Sequence, residues 1–202
     1  MDIELYHTPA TRSCRPRWLL EELGVPYRIR PVDLFGGERN PVHPLGSVPA
    51  VRIDGATLIE SGAICHWLAD RFPDRGLAPG PDDPRRPLYE QWMFFVPATL
   101  EPPAFEILLH TTLLPETKRV EAIVPFATKG YRRVLRMLSR ELDHDGYLLG
   151  SEFSCADIML GTTLTWLPGE LQDYPPLRDY TERVTARPAY RRAMAPASDT
   201  RT

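Results

Sequence analysis

The sequence has few cysteines: Cys14, Cys65 and Cys155 are the only three, and they lie far apart. An odd, scattered set predicts neither a disulfide framework nor a zinc site, and it suits a reducing compartment. No apolar run approaches the roughly 18 to 20 residues that a transmembrane helix needs. The acidic start Met-Asp-Ile-Glu-Leu is also unlike a secretory signal. We therefore expect a soluble, cytoplasmic protein that has no membrane partner and binds no metal.

An excess of positive charge is also lacking. The net charge is −3 and the pI is near 6.0. A chain with this balance has no basic face for phosphate groups. We therefore do not expect nucleic acid or acidic lipid as a partner.

A proline-rich segment divides the 202 residues into two predicted domains. Four prolines fall within the nine residues from Pro79 to Pro87, next to charged residues, which is typical of a linker. Beyond it no convincing strand pattern follows, and one apolar stripe has helical spacing. The stripe consists of Tyr131, Val134, Leu135, Leu138 and Leu142. We predict an α/β domain over 1–78, a linker over 79–87 and an all-helical domain over 88–202.

The first domain shows the order β-α-β followed by β-β-α. Residues 3–6 alternate as a strand does, a helical pattern follows and ends at Gly24, and residues 27–32 form a second strand pattern. Asp54-Gly55 separates two further apolar runs and favours a tight hairpin turn. Ser61 is a natural N-cap for the next helix. This order is typical of thioredoxin-like domains, so we predict an α/β thioredoxin-like domain joined to an all-α helical domain.

Two features of the hairpin suit an amino-acid ligand. Val48-Pro49 enters a strand, and a cis bond there would leave the main-chain N–H and C=O of Val48 ready to pair with an extended peptide. At the following helix start, unpaired N–H groups and the hydroxyl of Ser61 suit a carboxylate. Glu60 supplies the opposite charge for an ammonium group. An α-amino acid end carries both charges on one carbon, so the Glu-Ser pair suits it.

This combination of a Val-Pro strand entry, a hairpin and a Glu-Ser helix start resembles the glutathione site of the glutathione transferase family. The resemblance implies that the cysteinyl unit of glutathione pairs with Val48 beside Pro49, while Glu60 and Ser61 hold the γ-glutamyl end. It implies an enzyme that uses glutathione as co-substrate against a small electrophile. A homodimer and a role in detoxification are implied as well.

The resemblance extends over nearly the whole chain. Residues 150–157 form the string Gly-x-x-Phe-Ser-x-Ala-Asp, which caps the buried core helix of the C-terminal domain in that family. Ser154 and Asp157 stand three residues apart, so their side chains can satisfy free N–H groups at a helix start. We expect both residues to be structural.

The family activates the glutathione thiol at the first strand–helix junction. A thiol with a pKa of about 8.5 is mostly protonated at pH 7, and a hydrogen-bond donor near a helix N-terminus stabilises the thiolate. Members with a Ser-Arg-x-x-x-x-Arg-Trp signature have their serine where this sequence has Thr11. Thr11 is therefore the first candidate for the donor, Ser13 the second and Thr8 the third. The alternative for each hydroxyl is that it only caps the helix.

Cys14 offers a different chemistry. It lies near the predicted helix start beside Arg12, Arg15 and Arg17, where its pKa would be lowered, and some transferase classes use such a cysteine to form mixed disulfides. A glutathione-dependent thiol transferase is thus one rival function. Another is a non-catalytic module of the same fold that binds partners or apolar ligands. The Glu-Ser pair favours an enzyme, because a scaffold needs no amino-acid clamp.

Further positions follow from the resemblance. Ser47 stands where many members have a lysine that supports the glycyl end of glutathione, so Arg39 or His43 is the expected substitute, although His43 also suits a surface loop. Glu101 is expected to approach the glutathione amino group from the partner subunit. Aromatic residues around Glu101 could line a pocket for the electrophile, or they could belong to the core or a dimer interface.

Overall fold

The computed structural model describes residues 1–142 and 144–196. They form two units: one contains Met1–Gly80 together with residues 186–196, and the other contains Pro81–Thr185. The sequence assigned everything from residue 88 onwards to the helical domain, whereas residues 186–196 pack in the first unit. Residues 143 and 197–202 of that predicted domain lie outside the described residues, and the predicted boundaries stay a prediction.

Within the described residues, the first unit is built on a four-stranded mixed sheet. The strands are β1 (Ile3–His7), β2 (Arg28–Pro31), β3 (Ala50–Ile53) and β4 (Ala56–Ile59), in the spatial order β2-β1-β3-β4. β1 is parallel to β2, whereas the β1–β3 and β3–β4 pairs are antiparallel. Helix α1 (Cys14–Leu23) follows β1 and helix α2 (Ser61–Arg71) follows β4. The predicted thioredoxin-like order is therefore confirmed.

Local turn signals explain where these elements end. Gly24 adopts a left-handed φ of 63° after α1, and its N–H donates to the carbonyl of Leu20 at 3.1 Å. Asp54 and Gly55 have φ values of 48° and 89°, and both positive values are what a two-residue type I′ hairpin turn requires. The turn fixes the register in which Ala50 pairs with Ile59.

The second unit is helical. Its helices are α3 (Arg86–Phe95), α4 (Glu101–Leu108), α5 (Ile123–Glu141), α6 (Cys155–Leu164) and α7 (Pro175–Thr185). Wider π turns at Val96–Leu100 and Leu109–Leu113 follow α3 and α4. Of the predicted stripe on α5, Tyr131, Leu135 and Leu138 are fully buried. Nowhere in the described part of the chain is a helix long and apolar enough to span a membrane.

Helix α6 forms the centre of the second unit, and all its residues are buried. Its start is a capping box, as predicted: the N–H and the hydroxyl of Ser154 both donate to Oδ2 of Asp157, at 2.8 and 2.9 Å. Oδ1 of Asp157 accepts from the N–H of Leu148 at 2.9 Å and from the hydroxyl of Tyr180 at 2.8 Å. Burial raises the pKa of Asp157, and these hydrogen bonds oppose that rise. Both residues are therefore structural.

Helix α8 (Pro188–Met194) returns to the first unit and packs on α1. The rings of Trp18 and Tyr190 meet edge to face with centroids 4.8 Å apart. Arg192 of α8 donates to the carboxylate of Glu21 at 2.8 Å. With α2 also packed against it, α1 is buried on nearly all sides. Its charged side chains must therefore be paired inside the unit.

Candidate functional site

Three of the predicted ligand-binding segments leave the sheet at the same end. Tyr6 of β1 pairs with Ala50 of β3, and Ala50 pairs with Ile59 of β4. The end of β1, the start of β3 and the end of β4 are therefore neighbours. We call the segments that emerge there, residues 7–13, 47–49 and 60–61, the strand-end cluster. Adjacent strands are about 4.8 Å apart, so the cluster spans about 10 Å from β1 to β4.

The junction between β1 and α1 joins hydroxyl groups in one network. Oγ1 of Thr11 lies 2.7 Å from the carbonyl oxygen of Thr8 and 2.8 Å from Oγ of Ser13. Oγ of Ser13 lies 3.0 Å from the same carbonyl oxygen and accepts from the N–H of Thr8 at 3.1 Å. The Thr8 hydroxyl points away from both and donates to the carbonyl of Val32 at 2.6 Å. These hydrogen bonds stabilise the junction.

The three candidate hydroxyls differ in exposure. Ser13 is 0% exposed and Thr8 is 3% exposed, whereas Thr11 is partly exposed. Ser13 is the N-cap residue of α1, yet its side chain makes no capping hydrogen bond. The alternative in which the hydroxyl only caps the helix therefore does not hold for Ser13. Of the three, Thr11 is the one that a ligand arriving from solvent can touch.

The loop before β3 is held from its inner side. The peptide bond between Val48 and Pro49 is cis. Asn40 is 2% exposed, and its side-chain amide donates to the carbonyl of Ser47 at 2.8 Å. Among the hydrogen bonds found in residues 1–142 and 144–196, none involves the main-chain N–H or C=O of Val48. Both groups are thus available to an extended ligand.

Arg39 and His43 lie in the same loop. Nη2 of Arg39 donates to the carbonyl of Leu45 at 2.9 Å, and Arg39 is exposed. Nδ1 of His43 accepts from the N–H of Leu45 at 3.1 Å. One ring nitrogen of His43 is therefore already hydrogen-bonded within the loop. The guanidinium of Arg39 has several N–H donors, of which the Leu45 carbonyl takes one.

Helix α2 begins at Ser61, and Glu60 is its N-cap. The prediction that Ser61 is the N-cap is wrong by one residue, because the carbonyl of Glu60 already accepts from the N–H of Ile64 at 2.9 Å. Glu60 has a φ of 68°, which costs a non-glycine residue on the order of 1 kcal/mol or more. Its side chain is exposed. Ser61 is 6% exposed, and its Oγ accepts from Nη1 of Arg15 at 3.1 Å.

Comparison with known proteins assigns the family. Residues 12–71 match the N-terminal domain of glutathione S-transferases, and residues 118–192 match their C-terminal domain. A protein of Drosophila melanogaster named probable maleylacetoacetate isomerase 2 is 31% identical over 192 residues, which cover 90% of this chain and 82% of the relative. The chain belongs to the glutathione S-transferase family.

Solved structures agree with this assignment. A glutathione transferase of Methylococcus capsulatus is 30% identical with a TM-score of 0.84, over 95% of this chain and 97% of that one. A sphingomonad glutathione S-transferase complexed with glutathione is 27% identical with a TM-score of 0.84, over 95% and 96% of the two chains. The predictions of a glutathione transferase, an enzyme with glutathione as its co-substrate, are confirmed.

Cys14 of this glutathione transferase is not the reactive thiol that its flanking arginines suggested. It is 4% exposed, and burial raises the pKa of its thiol although Arg17 and Arg15 lower it. Desolvation outweighs the nearby positive charges. The prediction of a lowered pKa is therefore wrong.

Glu101 belongs to the second unit, where it is the first residue of α4 and 3% exposed. Its side chain is thus enclosed within its own chain before any subunit contact forms. Of the aromatic residues near it in sequence, Trp92 is buried and Phe94 is 68% exposed. In the residues that the structure describes, no group of three His, Cys, Asp or Glu side chains is arranged to hold a metal ion.

Sequence reasoning missed the roles of three buried polar residues in and next to the strand-end cluster. Arg15, His7 and Asn40 are 0%, 2% and 2% exposed. Arg15 contacts Ser61, His7 contacts Ser13, and Asn40 holds the loop before Val48. For Arg15 the available signal was the helical pattern of α1, because a charged residue among the buried positions of a helix must have an internal partner.

Proposed function

We propose that this enzyme binds glutathione across the strand-end cluster and stabilises its thiolate by a hydrogen bond from Thr11, while the thiol proton leaves to solvent. The γ-glutamyl end lies at Glu60 and Ser61, the cysteinyl unit pairs with the main chain of Val48 beside Pro49, and the sulfur faces Thr11. The thiolate then attacks a small electrophile. The strand register is the observation that carries the proposal, since it brings the three segments to one end of the sheet.

The dimensions of the cluster suit a tripeptide. The cluster is about 10 Å wide because β1, β3 and β4 are successive neighbours. Three extended residues also span about 10 Å. At the centre, Val48 offers an N–H and a C=O, the pair that an extended ligand needs to add itself as a short strand.

The start of α2 suits the γ-glutamyl carboxylate. Free N–H groups and the helix dipole favour an anion there. Because Oγ of Ser61 accepts from Arg15, its own hydroxyl proton remains available to donate to the carboxylate. The buried guanidinium of Arg15 adds positive charge behind Ser61. The exposed carboxylate of Glu60 suits the ammonium group of the same ligand end.

The hydroxyl of Thr11 is suited to stabilise the glutathione thiolate. Lowering a thiol pKa by about two units requires about 2.7 kcal/mol of differential stabilisation, and one hydrogen bond to a charged group contributes roughly 1.5 to 3 kcal/mol. Ser13 is buried, so its proposed role is to hold Thr11 and not to touch the sulfur. The buried thiol of Cys14 argues against the rival thiol transferase chemistry.

The glycyl carboxylate is assigned to Arg39. Its exposed guanidinium uses one donor on the carbonyl of Leu45 and has further donors for a carboxylate. His43 is the weaker candidate, because one of its ring nitrogens accepts a hydrogen bond inside the loop. The proposed site does not include Glu101, since its burial keeps it from a second subunit.

The exposed aromatic residues and the cysteines bear on the assembly and the location of the enzyme. Phe94 and Phe126 are 68% and 83% exposed, and large exposed apolar side chains favour a homodimer that covers them. The three cysteines are buried and form no disulfide with one another, which suits a reducing cytoplasm. Detoxification is the proposed role, because the conjugation of small electrophiles to glutathione removes them.

Isomerisation is a second candidate reaction, supported by the name of the Drosophila relative. The same thiolate can add to a carbon–carbon double bond of a small unsaturated acid, allow rotation about the resulting single bond, and leave again as the double bond re-forms. Glutathione is consumed in a conjugation and regenerated in an isomerisation. Counting free thiols as the electrophile reacts distinguishes the two.

Calorimetric titration with glutathione tests the binding site. We expect Ser61→Ala and Glu60→Ala each to weaken binding by roughly 1.5 to 3 kcal/mol, because each removes a hydrogen bond to a charged group. Glu141→Ala removes an exposed carboxylate of the second unit and serves as the control, with affinity near that of the wild type. Unchanged affinity in both site variants would remove the assignment.

A further inference from the structure

We propose that His7 is a positioning residue for thiol activation: its Nδ1–H donates to Ser13 and thereby leaves the hydroxyl proton of Thr11 for the glutathione sulfur. The proposal rests on the role of Thr11 given above. His7 is the last residue of β1, and it lies directly before the hydroxyl network. Nδ1 of His7 is 2.7 Å from Oγ of Ser13.

The neighbours of His7 determine which ring nitrogen carries the proton. Nε2 lies 3.4 Å from Nη1 of Arg17, and a guanidinium can only donate. Nε2 must therefore be the acceptor. Burial, and after it the charge of Arg17, lower the pKa of His7 to about 4, so the ring is neutral at pH 7. A neutral ring with an accepting Nε2 carries its single proton on Nδ1.

This tautomer fills the acceptor capacity of Ser13. A hydroxyl oxygen accepts two hydrogen bonds and donates one. Oγ of Ser13 accepts from Nδ1 of His7 at 2.7 Å and from the N–H of Thr8 at 3.1 Å. The hydroxyl of Thr11 therefore cannot donate to Ser13. The proton of Ser13 must in turn point to Oγ1 of Thr11 at 2.8 Å or to the carbonyl of Thr8 at 3.0 Å.

The same arrangement lets the Thr11 hydroxyl rotate towards a ligand at little cost in free energy. Without ligand, the hydroxyl of Thr11 donates to the carbonyl of Thr8 at 2.7 Å. When a thiolate accepts the hydrogen bond of Thr11, the hydroxyl of Ser13 can donate to the Thr8 carbonyl instead, at 3.0 Å. The buried carbonyl then keeps a partner, which avoids the penalty for an unpaired group. Without His7, Ser13 has an open acceptor position that competes with the sulfur for the Thr11 proton.

Nitrogen-15 NMR of the wild-type enzyme tests the tautomer directly. The signal of His7 is identified among the five histidines by its loss in His7→Asn. We expect protonated Nδ1 and unprotonated Nε2 at pH 7, with no change down to about pH 5, because the pKa is about 4. An Nε2–H tautomer or a charged ring at pH 7 would overturn the proposal.

Ultraviolet titration of the bound glutathione thiol tests the consequence. His7→Leu should raise the thiol pKa by roughly 0.5 to 1 unit, the equivalent of one neutral hydrogen bond. His7→Asn retains an N–H near the position of Nδ1 and should stay close to the wild type. A purely structural role would predict the same shift in both variants, and that result would overturn the proposal.

Thr11→Ala separates this proposal from the proposed function. If Thr11→Ala leaves the thiol pKa unchanged, the assignment of Thr11 itself fails. If Thr11→Ala raises it and His7→Leu does not, only the role of His7 fails. Adding His7→Leu to Thr11→Ala should give no further shift, because both changes act on one hydrogen bond.

Discussion

At the scale of single residues, burial decides which group at the β1–α1 junction can do chemistry. Charge alone favours Cys14, which has arginines on both sides in sequence, yet burial raises its pKa. The hydroxyl of Thr11 is a weaker acid than the thiol of Cys14, but Thr11 is partly exposed. A reacting or donating group must first be reachable by the ligand. The structure therefore favours hydroxyl chemistry over thiol chemistry.

The cysteines give a direct test of this ranking. Cys14, Cys65 and Cys155 are 4%, 0% and 0% exposed, so a thiol reagent should label the native enzyme slowly and reach all three positions only in denaturant. The release of chromophore with time measures both rates. Rapid reaction of one thiol in the native protein, lost in Cys14→Ser, would restore the thiol transferase as a candidate.

At the scale of secondary structure, local signals predicted the elements well. The Asp54-Gly55 turn, the end of α1 at Gly24 and the capping box at Ser154 each depend on residues within a few positions of one another. The contact between Arg15 and Ser61 joins residues 46 positions apart, and no local pattern encodes it. Ser61 accepts from Arg15, while Glu60, with its positive φ, is the N-cap of α2.

Asp157 shows how much one element depends on its cap. Asp157→Asn replaces one carboxylate oxygen with an NH₂ group facing donors from Ser154 or from Leu148 and Tyr180. We expect a loss on the order of 3 kcal/mol in the free energy of unfolding, since two buried donors lose their acceptor. Urea denaturation measures it.

The control for this prediction is Asp179→Asn on α7. Asp179 is exposed and pairs with its neighbour Arg178 at 3.6 Å. Its replacement should change the free energy of unfolding by no more than about 0.5 kcal/mol. Similar losses in both variants would show that the cap of α6 is not the source of the effect.

At the scale of the whole molecule, the exposed aromatic side chains predict self-association. Sedimentation at micromolar concentration should give a species of twice 23.0 kDa. Phe94→Glu should shift it towards the monomer, because a charge at a covered apolar position is costly to desolvate. Gln172→Glu adds the same charge at an exposed polar position and should leave the dimer intact. A single species of 23.0 kDa in the wild type would contradict the dimer.

We propose that glutathione lies across the strand-end cluster with its sulfur at Thr11. A crystal structure of the enzyme with glutathione tests it most directly. We expect the γ-glutamyl carboxylate on Ser61, two main-chain hydrogen bonds to Val48, and the sulfur within hydrogen-bonding distance of Oγ1 of Thr11. A tripeptide bound away from Val48, or a sulfur that contacts a different side chain at the β1–α1 junction, would contradict the account.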